Sequence, residues 1–68
     1  MIVFNRSLKK DDFDTIDKYE LIYYKDNNIA YIITKKDNLY IVHKYKIFNR
    51  QLIDTYQFKT SLQVIKSC

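Results

Sequence analysis

Between Tyr19 and Phe58, apolar and polar residues alternate in four short runs: Tyr19–Lys25, Ile29–Lys35, Leu39–Phe48 and Gln51–Phe58. A period of two sends successive side chains to opposite faces, which is the mark of a β-strand lying between two environments. The runs are separated by Asp26-Asn27-Asn28, Lys36-Asp37-Asn38 and Asn49-Arg50. Asn and Asp tolerate the left-handed backbone that hairpin turns require, so they stand in for glycine, which the chain lacks. Strands joined by connections this short pair as antiparallel neighbours. The pattern predicts an antiparallel meander of four strands, with Met1–Phe4 a short fifth strand at an edge.

Two helices are expected to flank the meander. Asp11 or Asp12 can cap a brief helix over Phe13–Lys18, with carboxylates in its first turn and Phe13 and Ile16 on its inner face; a linker is the alternative. At the other end, Thr60 or Ser61 can cap a helix within Lys59–Cys68, which puts Phe58, Leu62 and Ile65 on one side. The expected fold class is α+β: one small domain over residues 1–68, a meander of four to five strands with a short C-terminal helix on one face.

The faces follow from the parity of the loops. With an even number of unpaired residues in each loop, one face collects Leu21, Tyr23, Ile32, Ile41, Tyr56 and Phe58, and this is the expected core side. His43 falls there too, near Tyr56 and Asp54. The other face collects Ile22, Tyr24, Tyr31, Ile33, Tyr40 and Val42 beside Lys44 and Lys46. An odd first loop would move Tyr19, Leu21 and Tyr23 across. The second face is too rich in Tyr, Ile and Val to meet only water. A contiguous apolar patch of more than a few hundred Å² usually marks an interaction site, and tyrosine is enriched at interfaces. The expected contact residues are Tyr24, Tyr31, Ile33, Tyr40, Lys44 and Lys46. Three covers compete for that face: the N-terminal segment through Val3, Phe4, Phe13 and Ile16, a second copy of the chain, or a different partner.

Composition narrows the classes of function. A chain of 68 residues buries only about 60% of its unfolded surface and needs dense packing or a partner for stability. Cys68 is the only cysteine and His43 the only histidine, so neither an internal disulfide nor a closed zinc site is expected. The acidic run Asp11, Asp12, Asp14 and Asp17 lacks the glycine and final Glu of a calcium loop. A His43–Asp54–Tyr56 cluster could relay a proton, but no nucleophile or oxyanion loop accompanies it, and His43 reads as structural. Cys68 has only Lys66 near it in sequence to lower its pKa and reads as inert. No cofactor is implied, and the chain is expected not to be an enzyme. No apolar run approaches the length of a membrane span, and the opening residues lack a secretory pattern; a cytoplasmic protein of a bacterial host is expected.

Absent glycine and proline, one alanine, two arginines and abundant Ile, Lys, Asn and Tyr point to AT-rich coding. Such bias fits a low-GC bacterium, its phage or a mobile element. It also contributes lysines to the net charge of +4, which is uneven, because Leu8–Glu20 is acidic and the rest basic. Together these features favour a small binding protein acting through protein–protein contact. They suit a phage or mobile-element accessory protein inhibiting a host nucleic-acid-processing or defence complex, anti-CRISPR-like in kind. The alternative partner is single-stranded nucleic acid, with Tyr40 and Phe48 stacking on bases while Lys44 and Lys46 follow phosphates. A structural homodimer is the third expectation.

Overall fold

The computed structural model describes residues 2–68. Its strands are β1 (Ile2–Phe4), β2 (Leu21–Tyr24), β3 (Ile29–Lys36), β4 (Leu39–Lys46) and β5 (Gln51–Phe58), and its α-helix is α1 (Ser61–Ser67). A 3-10 helix, Lys10–Thr15, lies between β1 and β2. The strands form one sheet in chain order. β2 to β5 are the expected antiparallel meander. β1 is the short edge strand, but it runs parallel to β2, pairing Ile2 with Leu21 and Phe4 with Tyr23. A parallel pair needs a long crossover, and residues 5–20 provide it. Met1, included in the predicted strand, lies outside the described residues.

The N-terminal helix is a tighter 3-10 turn and starts earlier than Phe13–Lys18. Asp12 acts from inside its first turn, accepting the Lys9 N–H at 2.7 Å. The Arg6 guanidinium donates to both Asp12 oxygens, at 2.9 and 3.0 Å, and lies over the Phe4 ring, 4.8 Å from its centroid. Arg6 thus ties β1 to the crossover. The Arg6 hydrogen bond, helped by the Lys9 N–H, holds the Asp12 carboxyl below its ordinary value of 3.8 in spite of partial burial. A folded-state pKa below the unfolded one gives stability that is present above the unfolded pKa and lost as pH falls through the folded one. Acid unfolding followed by circular dichroism should therefore show Asp12→Asn less stable than wild type at neutral pH. The gap should close below pH about 4 as the wild-type carboxylate takes up its proton.

α1 closes with a reciprocal cap. Thr60 Oγ1 accepts the Gln63 N–H at 3.2 Å, and Gln63 Oε1 accepts the Thr60 and Lys59 N–H groups at 3.1 and 2.9 Å. A helix this short has little stability of its own, so cap and packing must hold it. Thr60→Ala should cost about 1 kcal/mol in urea unfolding.

Leu21, Tyr23, Tyr31, Ile33 and Val42 from the sheet pack with Leu8, Phe13 and Ile16 of the crossover and Val64 of α1. Tyr40, Tyr56 and Phe58 border this core, with Phe13 edge-on to Tyr40 at 5.5 Å. Both helical segments therefore lie on one side of the sheet. The expected composition of the two faces needs correction here. Leu21, Tyr23, Tyr56 and Phe58 do face the core, but the β3–β4 hairpin between them is turned over. It presents Tyr31, Ile33 and Val42 inward and leaves Ile32, Ile41 and His43 on the far side.

Two local events cause this reversal. Tyr24 pairs with Ala30, so an odd stretch of residues, Lys25–Ile29, lies between these two partners. Asp26 Oδ1 stabilises it by accepting the Asn28 and Ile29 N–H groups at 2.6 and 3.1 Å. On the other flank Lys44 pairs with Asp54 and Tyr45 with Leu52, which makes Ile53 the extra residue of a β-bulge. The hairpin itself keeps the expected register, turning at Asp37-Asn38 with φ of 52° and 65°, the left-handed pair of a type I′ turn.

Candidate functional site

The side of the sheet away from the helices is open. Across β2, β3, β4 and β5 its residues form lateral rows. Tyr24, Ala30, Tyr45 and Leu52 make one; Ile22, Ile32, His43 and Thr55 make the next, extended by Val3 on β1. Ile22 and Ala30 are buried, yet they lie outside the core cluster. Neighbouring side chains of the same sheet face shield them. This face is therefore a second apolar layer, and among the described residues no structural layer lies above it.

Ala30 shapes the surface. Its methyl group sits between the larger Tyr24 and Tyr45, so the sheet dips there. The dip is a cleft of about 620 Å³ walled by Ile22, Tyr24, Ala30, Ile32, Tyr45 and Ile47, with Lys46 and Arg50 also lining it. The volume is in the range of ligand sites, about 300–1,000 Å³, though the cleft is open rather than enclosed. The β2–β3 turn and the β4–β5 loop meet at this end of the sheet, where the Ile47 N–H donates to the Asn28 carbonyl at 2.9 Å.

The β4–β5 connection is longer than the expected Asn49-Arg50 turn. Lys46 pairs with Gln51, so Ile47–Arg50 forms the loop. Asn49 Oδ1 accepts the Gln51 N–H at 3.1 Å, and Arg50 takes a left-handed φ of 55°. This arrangement lifts Phe48 out of the strand and leaves it 98% exposed. A phenylalanine in water at a loop tip gains nothing for the fold. Val3, Tyr24, Leu52 and Ile53 are further exposed apolar residues of the sheet.

The six expected contact residues are divided by the two faces. Tyr24 is on the open face and exposed, as expected. Tyr31 and Ile33 are not on the surface: at 3% and 0% exposure they belong to the core, where burial pushes the Tyr31 phenol pKa up. Tyr40 is half-buried between Phe13 and the Lys35 ammonium, 5.6 Å from its ring centroid. Lys44 lies on the helix side with its ammonium 5.9 Å from the Tyr31 ring centroid. Lys46 is exposed at the end of β4, where its pairing with Ile29 puts it on the same helix side as Lys44. The strip expected to run through Tyr40, Lys44, Lys46 and Phe48 is therefore interrupted. Its first ring is covered by Phe13, and its last has left the strand.

The expected His43–Asp54–Tyr56 cluster is likewise dispersed. His43 Nδ1 is 3.1 Å from Thr55 Oγ1 on the open face, whereas Asp54 and Tyr56 pair with Lys44 and Val42 on the helix side. Cys68 packs against the core, and burial pushes its thiol up to about 11, away from the thiolate that nucleophilic chemistry needs. Among the described residues no three of His, Cys, Asp and Glu approach closely enough to hold a metal ion. Among them, too, no helix is long and apolar enough to cross a membrane.

Ile32 and Tyr45 emerge on the open face although sequence reasoning placed them on the core side, and Phe48, expected on an exposed strip of β4, is exposed from the loop instead. Asp26 at the head of an Asx turn was the available signal for the first loop; the bulge at Ile53 has no comparable signature. The chain matches no protein-family model, and no match to it is found among curated proteins or solved structures.

Proposed function

We propose that this chain is a non-enzymatic binding protein whose open sheet face docks on a protein partner and acts by occupying that partner's surface. The observation that carries the reading is the uncovered apolar layer around Ala30, adjoined by the fully exposed Phe48. Exposed patches of this kind mark contact sites in soluble chains. Aromatic anchors near a cleft are where binding energy concentrates. Two features weigh for protein over nucleic acid. The interleaved aromatic and basic strip is broken, and the walls of the cleft are mainly aliphatic. The AT-rich composition extends the proposal to origin: an accessory protein of a phage or mobile element, acting in the bacterial cytoplasm on a host nucleic-acid-processing or defence complex.

The test is capture from a low-GC bacterial lysate by tagged wild type and by Ile32→Glu, each split into nuclease-treated and untreated halves. A discrete protein should survive nuclease with wild type and be lost with Ile32→Glu. Equal recovery by both proteins would remove the face from the mechanism. Recovery that vanishes with nuclease would move the function to nucleic acid.

A further inference from the structure

β5 ends the sheet on one side, and among the described residues no strand lies beyond it. Which backbone groups it leaves free follows from the hairpin before it. The Asp37-Asn38 turn closes on Lys36 and Leu39 as a hydrogen-bonded pair, and bonded pairs recur at every second position of the ladder. Ile41, His43 and Tyr45 thus turn their N–H and C=O groups to β3, while Tyr40, Val42 and Lys44 turn theirs to β5. The β5 partners of these last three are Phe58, Tyr56 and Asp54. The N–H and C=O groups of Thr55 and Gln57 are left at the free edge. The Thr55 N–H accordingly donates to Asp54 Oδ1 of its own strand, at 2.8 Å. Lys59, the next edge position, donates its N–H to Gln63 Oε1 at 2.9 Å. Lysine is a common guard of an open edge. The interior strands β3 and β4 carry two lysines each, and the edge strand β5 carries none.

We infer that β5 is a dimerisation edge, at which two copies of the strand pair antiparallel about a two-fold axis at Tyr56. Thr55 then exchanges both hydrogen bonds with the partner's Gln57, and Gln57 with the partner's Thr55, so every free group of this stretch is matched. On the helix side Tyr56 faces the partner's Tyr56. Asp54, the only charge of β5, faces the partner's Phe58, so no like charges meet across the edge. α1 packs over β4, β5 and the 3-10 helix and does not extend beyond the edge. A flexible segment of another protein would lose backbone freedom at every residue for few hydrogen bonds, whereas a second β5 is already held extended by its own β4. Pairing β5 with β1 of another copy would leave outer edges open and propagate without closing. The two-fold axis stands perpendicular to the sheet, so both open faces stay on one side. The pairing does not depend on what docks there.

The experiment is sedimentation equilibrium of the full chain at concentrations up to about 1 mM, with the mass expected to rise from one chain to two. Thr55→Lys combined with Gln57→Lys sets like charges opposite each other across the edge. That variant should stay monomeric with an unchanged circular dichroism spectrum. In a Cys68→Ser background, Tyr56→Cys brings two thiols together at the axis and should give a disulfide-linked dimer on mild oxidation. Leu62→Cys, on the exposed side of α1, should give none. A monomer at every concentration, a lysine variant that associates as wild type does, or a link through Leu62→Cys in place of Tyr56→Cys would each overturn the inference. A link through Tyr45→Cys instead would set the second copy on the open face and overturn the docking surface as well.

Discussion

Ile33→Ala should destabilise the protein by about 2–5 kcal/mol, and Ile32→Ala, one residue earlier, by much less. Ile33 is wholly buried between the sheet and the helical segments, in contact with the cluster built from Leu21, Val42 and Val64. Removing its outer carbons deletes transfer energy and leaves a cavity that the surrounding strands cannot close. Ile32 points to the open face and remains partly in water, so its truncation removes little burial. A chain of this length has roughly 3–10 kcal/mol of stability in total. Ile33→Ala would thus consume a large share of it. Urea unfolding of the two variants side by side reads the difference. The opposite order of stabilities would mean that the β3–β4 hairpin faces the other way, and that the open face is the one built on Tyr31 and Tyr40.

The second large effect concerns binding and leaves the fold alone. Phe48→Ser should not move the thermal midpoint, because a side chain with 98% of its surface in water contributes no packing. It should weaken the partner complex by about 2 kcal/mol or more, roughly 30-fold, as truncation of an aromatic anchor does. Calorimetric titration of the purified partner measures this. Unchanged affinity would take the β4–β5 loop out of the contact and confine the surface to the cleft.

These two variants probe positions that differ in how far the sequence revealed them. The alternation in β2 to β5, the Asp37-Asn38 turn and the Thr60 cap are local, and local signals were enough to find them. The surplus of apolar residues was also legible, because a small chain with this many Ile, Tyr and Val cannot bury both sides of one sheet. Which side stays open depends on parity, and parity is fragile. One odd connection at Lys25–Ile29 and one extra residue at Ile53 reverse the hairpin between them without altering any strand's own pattern. For this reason Tyr31 and Ile33 look like surface residues in the sequence and are core residues in the fold. The parallel pairing of β1 is illegible for a different reason. It depends on where the crossover through Phe13 and Ile16 packs, a tertiary contact with no periodic trace.

The docking surface is tested most directly by placing a photo-crosslinking phenylalanine analogue at Tyr45 on the open face, or at Leu62 on the exposed side of α1, and irradiating each protein in bacterial lysate. Tyr45 should give a discrete adduct with a heterologous protein, and Leu62 should give none. Adducts from Leu62 alone, or an adduct of Tyr45 only with a second copy of the same chain, would contradict a partner docked on the open sheet.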